Sequence, residues 1–288
     1  MSAIAIAGTG RMGTAFAKRL VETGFDVTVW NRTHSRTRAA ADAGAKPASN
    51  IASVAACDVI LLSLTDAEAV ECVVDKLVGV GISGRVIVDM STLLPDETCR
   101  VAARVVEAGA DFVDCPVGGT VAPALKGQLL GMAGGTEAAF ARARPILDKL
   151  CKRIEHLGSV GSGARMKLAV NLPLAIYWAT LSEALSMLED SGISADTAIS
   201  LIADSSAGPA VLKNRAKVVI DTLGGTDQLG TFDIAGLAKD LNLALSQAEH
   251  IGKTMPISQA ARESYREAIA AGLGGFDGSS LTRFLLER

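Results

Sequence analysis

Lys167 and Asn171 stand four positions apart in the segment Gly161-Ser162-Gly163-Ala164-Arg165-Met166-Lys167-Leu168-Ala169-Val170-Asn171. That spacing places both side chains on one face of a helix, close to its N-terminal end. A lysine so placed can give a proton to a carbonyl oxygen and take it back, while a neighbouring carboxamide orients the amine and a bound substrate. Residue type alone leaves a second reading open, an ordinary solvated helix face, because most lysines are exposed.

A second arrangement with chemical meaning lies near the start of the chain. Ile4-Ala5-Ile6-Ala7 runs straight into Gly8-Thr9-Gly10-Arg11-Met12-Gly13 and then into the helix-like Thr14 to Leu20. A strand, a tight turn and a helix start present backbone N–H groups to a dinucleotide pyrophosphate. Gly8 suits the turn, Gly10 lets a phosphate approach the main chain, and Gly13 lets the helix pack against the strand. About 20 residues further on, an NAD site usually holds a carboxylate that bonds the ribose hydroxyls. Here that place is Asn31, followed by Arg32, Thr33, His34, Ser35 and Arg36. A neutral amide does not repel a 2′-phosphate, and Arg32 can pair with that phosphate or lie flat on adenine. The spacing therefore predicts NADP (NADPH) as cofactor, with NAD the weaker alternative.

These residues need a scaffold, and the pattern supplies one. Short β-branched runs at Asp26–Trp30, Val59–Leu62, Val86–Asp89 and Phe112–Asp114 alternate with amphipathic stretches such as 67–78 and 96–107. After Gly163 the strand signals stop and helical patterns fill 164–190, 195–203, 210–221, 233–250 and 257–271. The expected architecture is α/β: an N-terminal Rossmann-type, doubly wound parallel sheet over residues 1–160, then an all-helical domain over 161–288 that begins with a long helix. A cleft between them is the expected seat of Lys167 and Asn171. At 288 residues with 49% hydrophobic composition, the chain has ample core for two domains. Its net charge of −3, without a basic stripe, speaks against nucleic acid as a partner. The five cysteines (57, 72, 99, 115 and 151) are scattered and form no Cys-x-x-Cys pair, and the three histidines lie far apart. Reduced thiols in a cytoplasmic protein without a metal site are expected. No signal peptide is expected before the first strand, and no continuous apolar run reaches the ~18 residues of a membrane span.

The segment from Gly161 to Asn171 resembles the Gly-x-Gly-x-x-x-Lys-x-x-x-Asn segment of the β-hydroxyacid dehydrogenases, which include 3-hydroxyisobutyrate dehydrogenase and semialdehyde reductases. Three further motifs match in order: Gly8 to Gly13, Asp89-Met90-Ser91-Thr92 with Pro95, and Lys239-Asp240-Leu241. The resemblance spans essentially the whole chain. It implies that Lys167 is the catalytic acid/base assisted by Asn171, and that Ser91 and Thr92 border substrate and nicotinamide. It also implies that Lys239 closes the site, that Phe232 packs near the nicotinamide, that Leu64-Thr65 forms a cofactor-contact loop, and that helical domains pair in a homodimer.

Departures bear on the substrate. Where the family usually reads Pro-Val-Ser-Gly-Gly, this chain has Pro116-Val117-Gly118-Gly119-Thr120. Backbone N–H groups of Gly118 and Gly119, with the Thr120 hydroxyl, can still bind an anion. The loop is also similar to the Pro-Val-Gly-Arg-Thr of sulfolactaldehyde reductases, but Gly119 stands at their arginine. The family's Asn-Asn doublet is Val170-Asn171 here, and Pro173 inside the helix predicts a local kink. The expected activity is NADPH-dependent, reversible reduction of a small aldehyde or keto acid to a hydroxy acid. Imine reduction is the alternative: imine reductases share the Val29-Trp30-Asn31-Arg32-Thr33 string but usually replace the lysine. A non-catalytic NADP-binding module is a third reading, which Lys167 and Asn171 disfavour.

Overall fold

The computed structural model describes residues 3–288, so the first two positions of the expected nucleotide-binding domain lie outside the described residues. The chain divides into two compact units, one ending at Lys167 and the other running from Leu168 to Arg288.

In the first unit strands and helices alternate. β1 (Ile4–Ala7), α1 (Arg11–Glu22) and β2 (Val27–Trp30) lead through a 3-10 turn (His34–Thr37) and α2 (Arg38–Ala41) to β3 (Lys46–Pro47). Next come α3 (Ile51–Ala55), β4 (Val59–Leu62), α4 (Ala67–Val80), β5 (Val86–Asp89), α5 (Pro95–Glu107) and β6 (Asp111–Asp114). β7 (Val117–Gly118), α6 (Val121–Leu125), β8 (Leu129–Gly135), α7 (Glu137–Leu150) and β9 (Cys151–His156) complete it. The order β3-β2-β1-β4-β5-β6 is parallel throughout. All residues of β1, β4 and β5 are buried, because helices cover both faces of the sheet. Ile4 and Ile6 join one core with Phe16 and Leu20 of α1 and Leu147 of α7. Their neighbours Ala5 and Ala7 join the opposite core with Val70 and Val74 of α4 and Val101 of α5. That alternation is the two-residue period of a strand.

The far end of the sheet differs from the expected all-parallel pattern. β8 runs antiparallel to β6 and β7, with β9 parallel on its other side. Three glycines in β8 and a largely polar β9 hide both strands from a reading of β propensity.

Helices make up the second unit: the remainder of α8 (Ser162–Ser186), then α9 (Ala195–Asp204), α10 (Ala210–Leu223), α11 (Ile234–His250), α12 (Pro256–Ala270) and α13 (Gly278–Leu286). Only isolated bridges, Leu229 with Phe276 and Asp233 with Asp277, interrupt the helical pattern among its described residues. The core gathers Trp178, Leu212, Val219, Leu237 and Leu281 around fully buried Tyr265, whose hydroxyl donates to the Ala175 carbonyl (2.7 Å). α13 has no counterpart in the sequence expectation. Its nine residues follow a Gly-rich stretch and start only because Asp277 caps them, accepting the Ser279 N–H. α8 remains helical through Pro173. By length and composition it is also apolar enough to cross a membrane, with 39% of its most apolar window buried in the protein.

Composition changes at 160/161, whereas compactness divides the chain at Lys167, and Asp114 accounts for the difference. Its two carboxylate oxygens, at the end of β6, accept the N–H groups of Gly161 and Ala164, each at 2.9 Å. The first turn of α8 is thereby fastened to the sheet. Gly163 permits the approach, since a Cβ there would lie 2.2 Å from the Met132 carbonyl oxygen. Burial pushes the Asp114 carboxyl above its usual range, and those backbone donors partly offset the shift. Asp114→Asn would set an amide N–H against a backbone N–H in a buried site. It is expected to destabilise the protein by about 2–4 kcal/mol, read from urea unfolding.

Candidate active site

The parallel register is level. Ala7 pairs with Trp30 and with Leu62, and Leu62 with Asp89, so the residues that follow these strands emerge along one edge. β2 and β4 flank β1 on opposite sides, which makes that edge a topological switch point. Gly8 has φ +101°, and a Cβ on it would lie 2.2 Å from the Ser63 carbonyl oxygen. A Cβ on Gly13 would lie 1.9 Å from the Gly8 oxygen. Gly10 is different, with nothing within 4 Å of its Cβ position. It is the N-cap of α1, whose first turn has no side-chain cap bond and no acidic residue. The positive end of the helix dipole is thus reached past a residue with no side chain and no side-chain cap, which fits a pyrophosphate.

A cavity begins at this turn. Gly8 and Gly10 line it at the turn, Asn31, Arg32 and Arg36 after β2, and Leu64 and Thr65 after β4. The sequence reading missed Trp30 and one face of α4 (Ala69, Cys72, Val73 and Lys76), which line the same cavity. Their i, i+3, i+4, i+7 spacing was a readable signal. α4 starts where Asp66 caps it, accepting the Ala69 N–H at 2.8 Å. Asn31 Oδ1 accepts the Thr33 N–H (2.9 Å) and so bends the loop after β2. Thr9 is buried outside the cavity lining and ties the glycine turn to that loop by donating to the Arg36 carbonyl (3.0 Å). Arg11, Met12, Gly13 and Thr33 are not among the lining residues; Arg11 is exposed and Met12 packs against the core.

The other expected residues of the first unit lie on three segments. Ser91 is buried, its N–H donating to Asp89 Oδ1 (3.0 Å) and its Oγ accepting the Leu64 N–H (3.1 Å). Thr92 follows, half-buried. Lys167 is only 8% exposed, and its Nζ donates to the Val117 carbonyl at 2.9 Å. That bond places the ammonium beside the strand end that leads into Gly118, Gly119 and Thr120. Gly119 has φ +123°, and a Cβ there would approach Leu129 Cδ2 to 2.7 Å. An arginine at this position would be strained on both counts.

In the second unit, Asn171 Nδ2 donates to Asp240 Oδ2 at 2.6 Å, both residues being 5% exposed. Lys239 Nζ lies 3.9 Å from Asp240 Oδ1. Phe232, half-buried, precedes the Asp233 cap of α11. The sequence reading gave Asp240 no role, although a carboxylate among the buried apolar positions of α11 was a signal that it holds a partner. Among the described residues no His/Cys/Asp/Glu cluster could hold a metal ion.

The glycine geometry separates two variants. Gly13→Ala should destabilise the fold by about 1–3 kcal/mol or more, because β1 and α1 are forced apart. Gly10→Ala should stay within about 1 kcal/mol of the parent yet weaken dinucleotide binding about tenfold or more. Thermal unfolding and fluorescence titration measure the two effects.

Residues 3–158 match the family model described as the NAD binding domain of 6-phosphogluconate dehydrogenase. Residues 161–285 match that of the NAD-binding domain of NADP-dependent 3-hydroxyisobutyrate dehydrogenase. Glyoxylate/succinic semialdehyde reductase 1 of Arabidopsis thaliana is 32% identical over 278 residues, 95% of each chain. Among solved structures, 3-hydroxyisobutyrate dehydrogenase of Mycobacterium tuberculosis with L-serine superposes with a TM-score of 0.88 at 26% identity, covering 99% of both chains. A structure described as Psf3 in complex with NADP+ and 2-OPP gives 0.86 at 25% identity, covering 98% of this chain and 99% of that one. With a glycine turn shaped for a dinucleotide and a buried lysine beside a glycine-rich loop, the chain belongs to the β-hydroxyacid dehydrogenase family of NAD(P)-dependent oxidoreductases.

Proposed function

We propose that the protein is an NADPH-dependent reductase of a small aldehyde or keto acid, reversible toward the hydroxy acid, with Lys167 as general acid/base. The observation that supports it best is Lys167 itself, buried and with Nζ held on the Val117 carbonyl. When bound, the nicotinamide supplies hydride chemistry at the substrate carbon. An ammonium has three N–H donors, and Val117 fixes one of them, which limits how the group can turn. Lys167 Nζ then donates its proton to the carbonyl oxygen, and its charge stabilises the alkoxide as it develops. In the oxidative direction the neutral amine takes the proton back.

The substrate's acid group is assigned to the Gly118 and Gly119 N–H groups, the Thr120 hydroxyl and Ser91. With an Oγ lone pair filled by Leu64 N–H, Ser91 keeps its own proton to donate. Asn171, one helical turn beyond Lys167, is assigned to substrate positioning, with its carboxamide fixed by Asp240. Thr92, Phe232 and Lys239 are assigned to the nicotinamide end. Asn31 and Arg32, in place of a carboxylate, favour NADPH over NADH. Division into a nucleotide-binding domain over 1–160 and a helical domain over 161–288 goes with this assignment. So does a homodimer: large apolar side chains stay exposed on the helical unit, Met187, Leu201 and Ile257 among them. Five free thiols fit a reducing, cytoplasmic setting.

Succinic semialdehyde, glyoxylate, tartronate semialdehyde and methylmalonate semialdehyde, beside a cyclic imine, form the test panel. Turnover of at least one acid with NADPH is expected, together with a loss of about 10²–10⁴ in kcat for Lys167→Ala and retained NADPH binding. Near-parental turnover of that variant would remove Lys167 from the mechanism. Turnover of the imine alone would move the enzyme to C=N reduction.

A further inference from the structure

Three cations line the dinucleotide cavity, Arg32, Arg36 and Lys76, and no carboxylate does. Among the described residues none of the three side chains is paired with an acid. Like charges gathered around one concavity repel one another and strengthen its field for an anion. Arg32 and Arg36 belong to the loop and 3-10 turn after β2, but Lys76 comes from a different segment of the lining, α4. Its position relative to Ala69, Cys72 and Val73 puts it on the cavity-facing side of that helix. The Lys76 ammonium does not simply extend into water. It lies 5.8 Å from the centroid of the Trp30 ring, and Trp30 directly precedes Asn31 and Arg32. A ring face attracts a cation, so the indole holds the lysine toward the end of β2.

We propose that Lys76 is a specificity-determining residue for the cofactor, closing a two-sided clamp with Arg32 on the phosphate at the adenosine 2′ position. The proposal rests on the NADPH reading above and deepens it. Arg32 offers a planar fork that covers two oxygens of a phosphate dianion, and Lys76 supplies a compact charge for the third. Trp30 keeps the lysine in place in the free protein, so less side-chain freedom is lost on binding.

Binding of NADPH, NADH, 2′,5′-ADP and 5′-AMP to the parent, Lys76→Met, Lys76→Arg and Arg32→Met tests this by calorimetry. Both positions are exposed, so the variants keep the fold. Lys76→Met retains the apolar stem over Trp30 and removes only the charge. It is expected to weaken NADPH and 2′,5′-ADP about five- to tenfold, to leave NADH and 5′-AMP within about twofold, and to be rescued by Lys76→Arg. If the parent shows no preference for the 2′-phosphorylated ligands, the NADPH reading falls and the clamp with it. If the parent prefers them and Arg32→Met abolishes the preference while Lys76→Met keeps it, the Lys76 clamp alone is overturned. Equal weakening of all four ligands by Lys76→Met also overturns it, because that is the signature of lost packing rather than a lost phosphate contact.

Discussion

A single buried carboxylate decides where the helix that carries Lys167 begins. Asp114 ends β6 and receives two N–H groups from the start of α8. Helix starts ordinarily leave such donors to water or to a side-chain cap. Here the cap comes from the sheet, so the first turn of the helix inherits its position from the strand register. Lys167, less than two turns further along, is held by the same unit through the Val117 carbonyl. A burial cost for one ionisable group is thereby converted into a fixed place for another, and the glycines at 134 and 163 are small because that approach leaves no room beside Asp114.

The cofactor edge follows from a different constraint. Four parallel strands end level, and each hands its next residue to the same rim: Gly8, Asn31, Ser63 and Met90. Helices on both faces keep the strand interiors largely apolar, which leaves the strand ends and loops for polar work. Thr9, bonded to the Arg36 carbonyl, shows how the loops are then joined laterally without covering the rim.

Much of this was legible in the sequence, and the limits have physical causes. The parallel strands and the long helices announced themselves because apolar periodicity and burial coincide there. Gly8 and Gly13 were legible because geometry restricts the residue type there, and Gly10 because it completes their spacing. β8 and α13 were not, since glycines mask the first and the second is nine residues long with small and polar residues, Gly278, Ser279, Ser280 and Thr282, among its buried positions. Lys76 was missed for another reason. Its place depends on its reach from α4 to the Trp30 ring of β2, a contact between segments distant in the chain. Asp240 was visible as a residue but not as a partner, because a hydrogen bond across 69 positions leaves no trace in spacing.

The Ser91 hydroxyl lies between two loops that serve different ends of the rim. Its oxygen accepts a hydrogen bond from the Leu64 N–H, and Leu64 lines the cavity that begins at the glycine turn. A hydroxyl that gives its own proton to an acceptor becomes a better acceptor in turn. Whatever draws on that proton therefore tightens the Leu64 loop, and a firmer loop holds the hydroxyl better aimed. Linkage of this kind is reciprocal. One side chain thus joins the segment after β5 to the segment after β4, so that the two are not ordered independently.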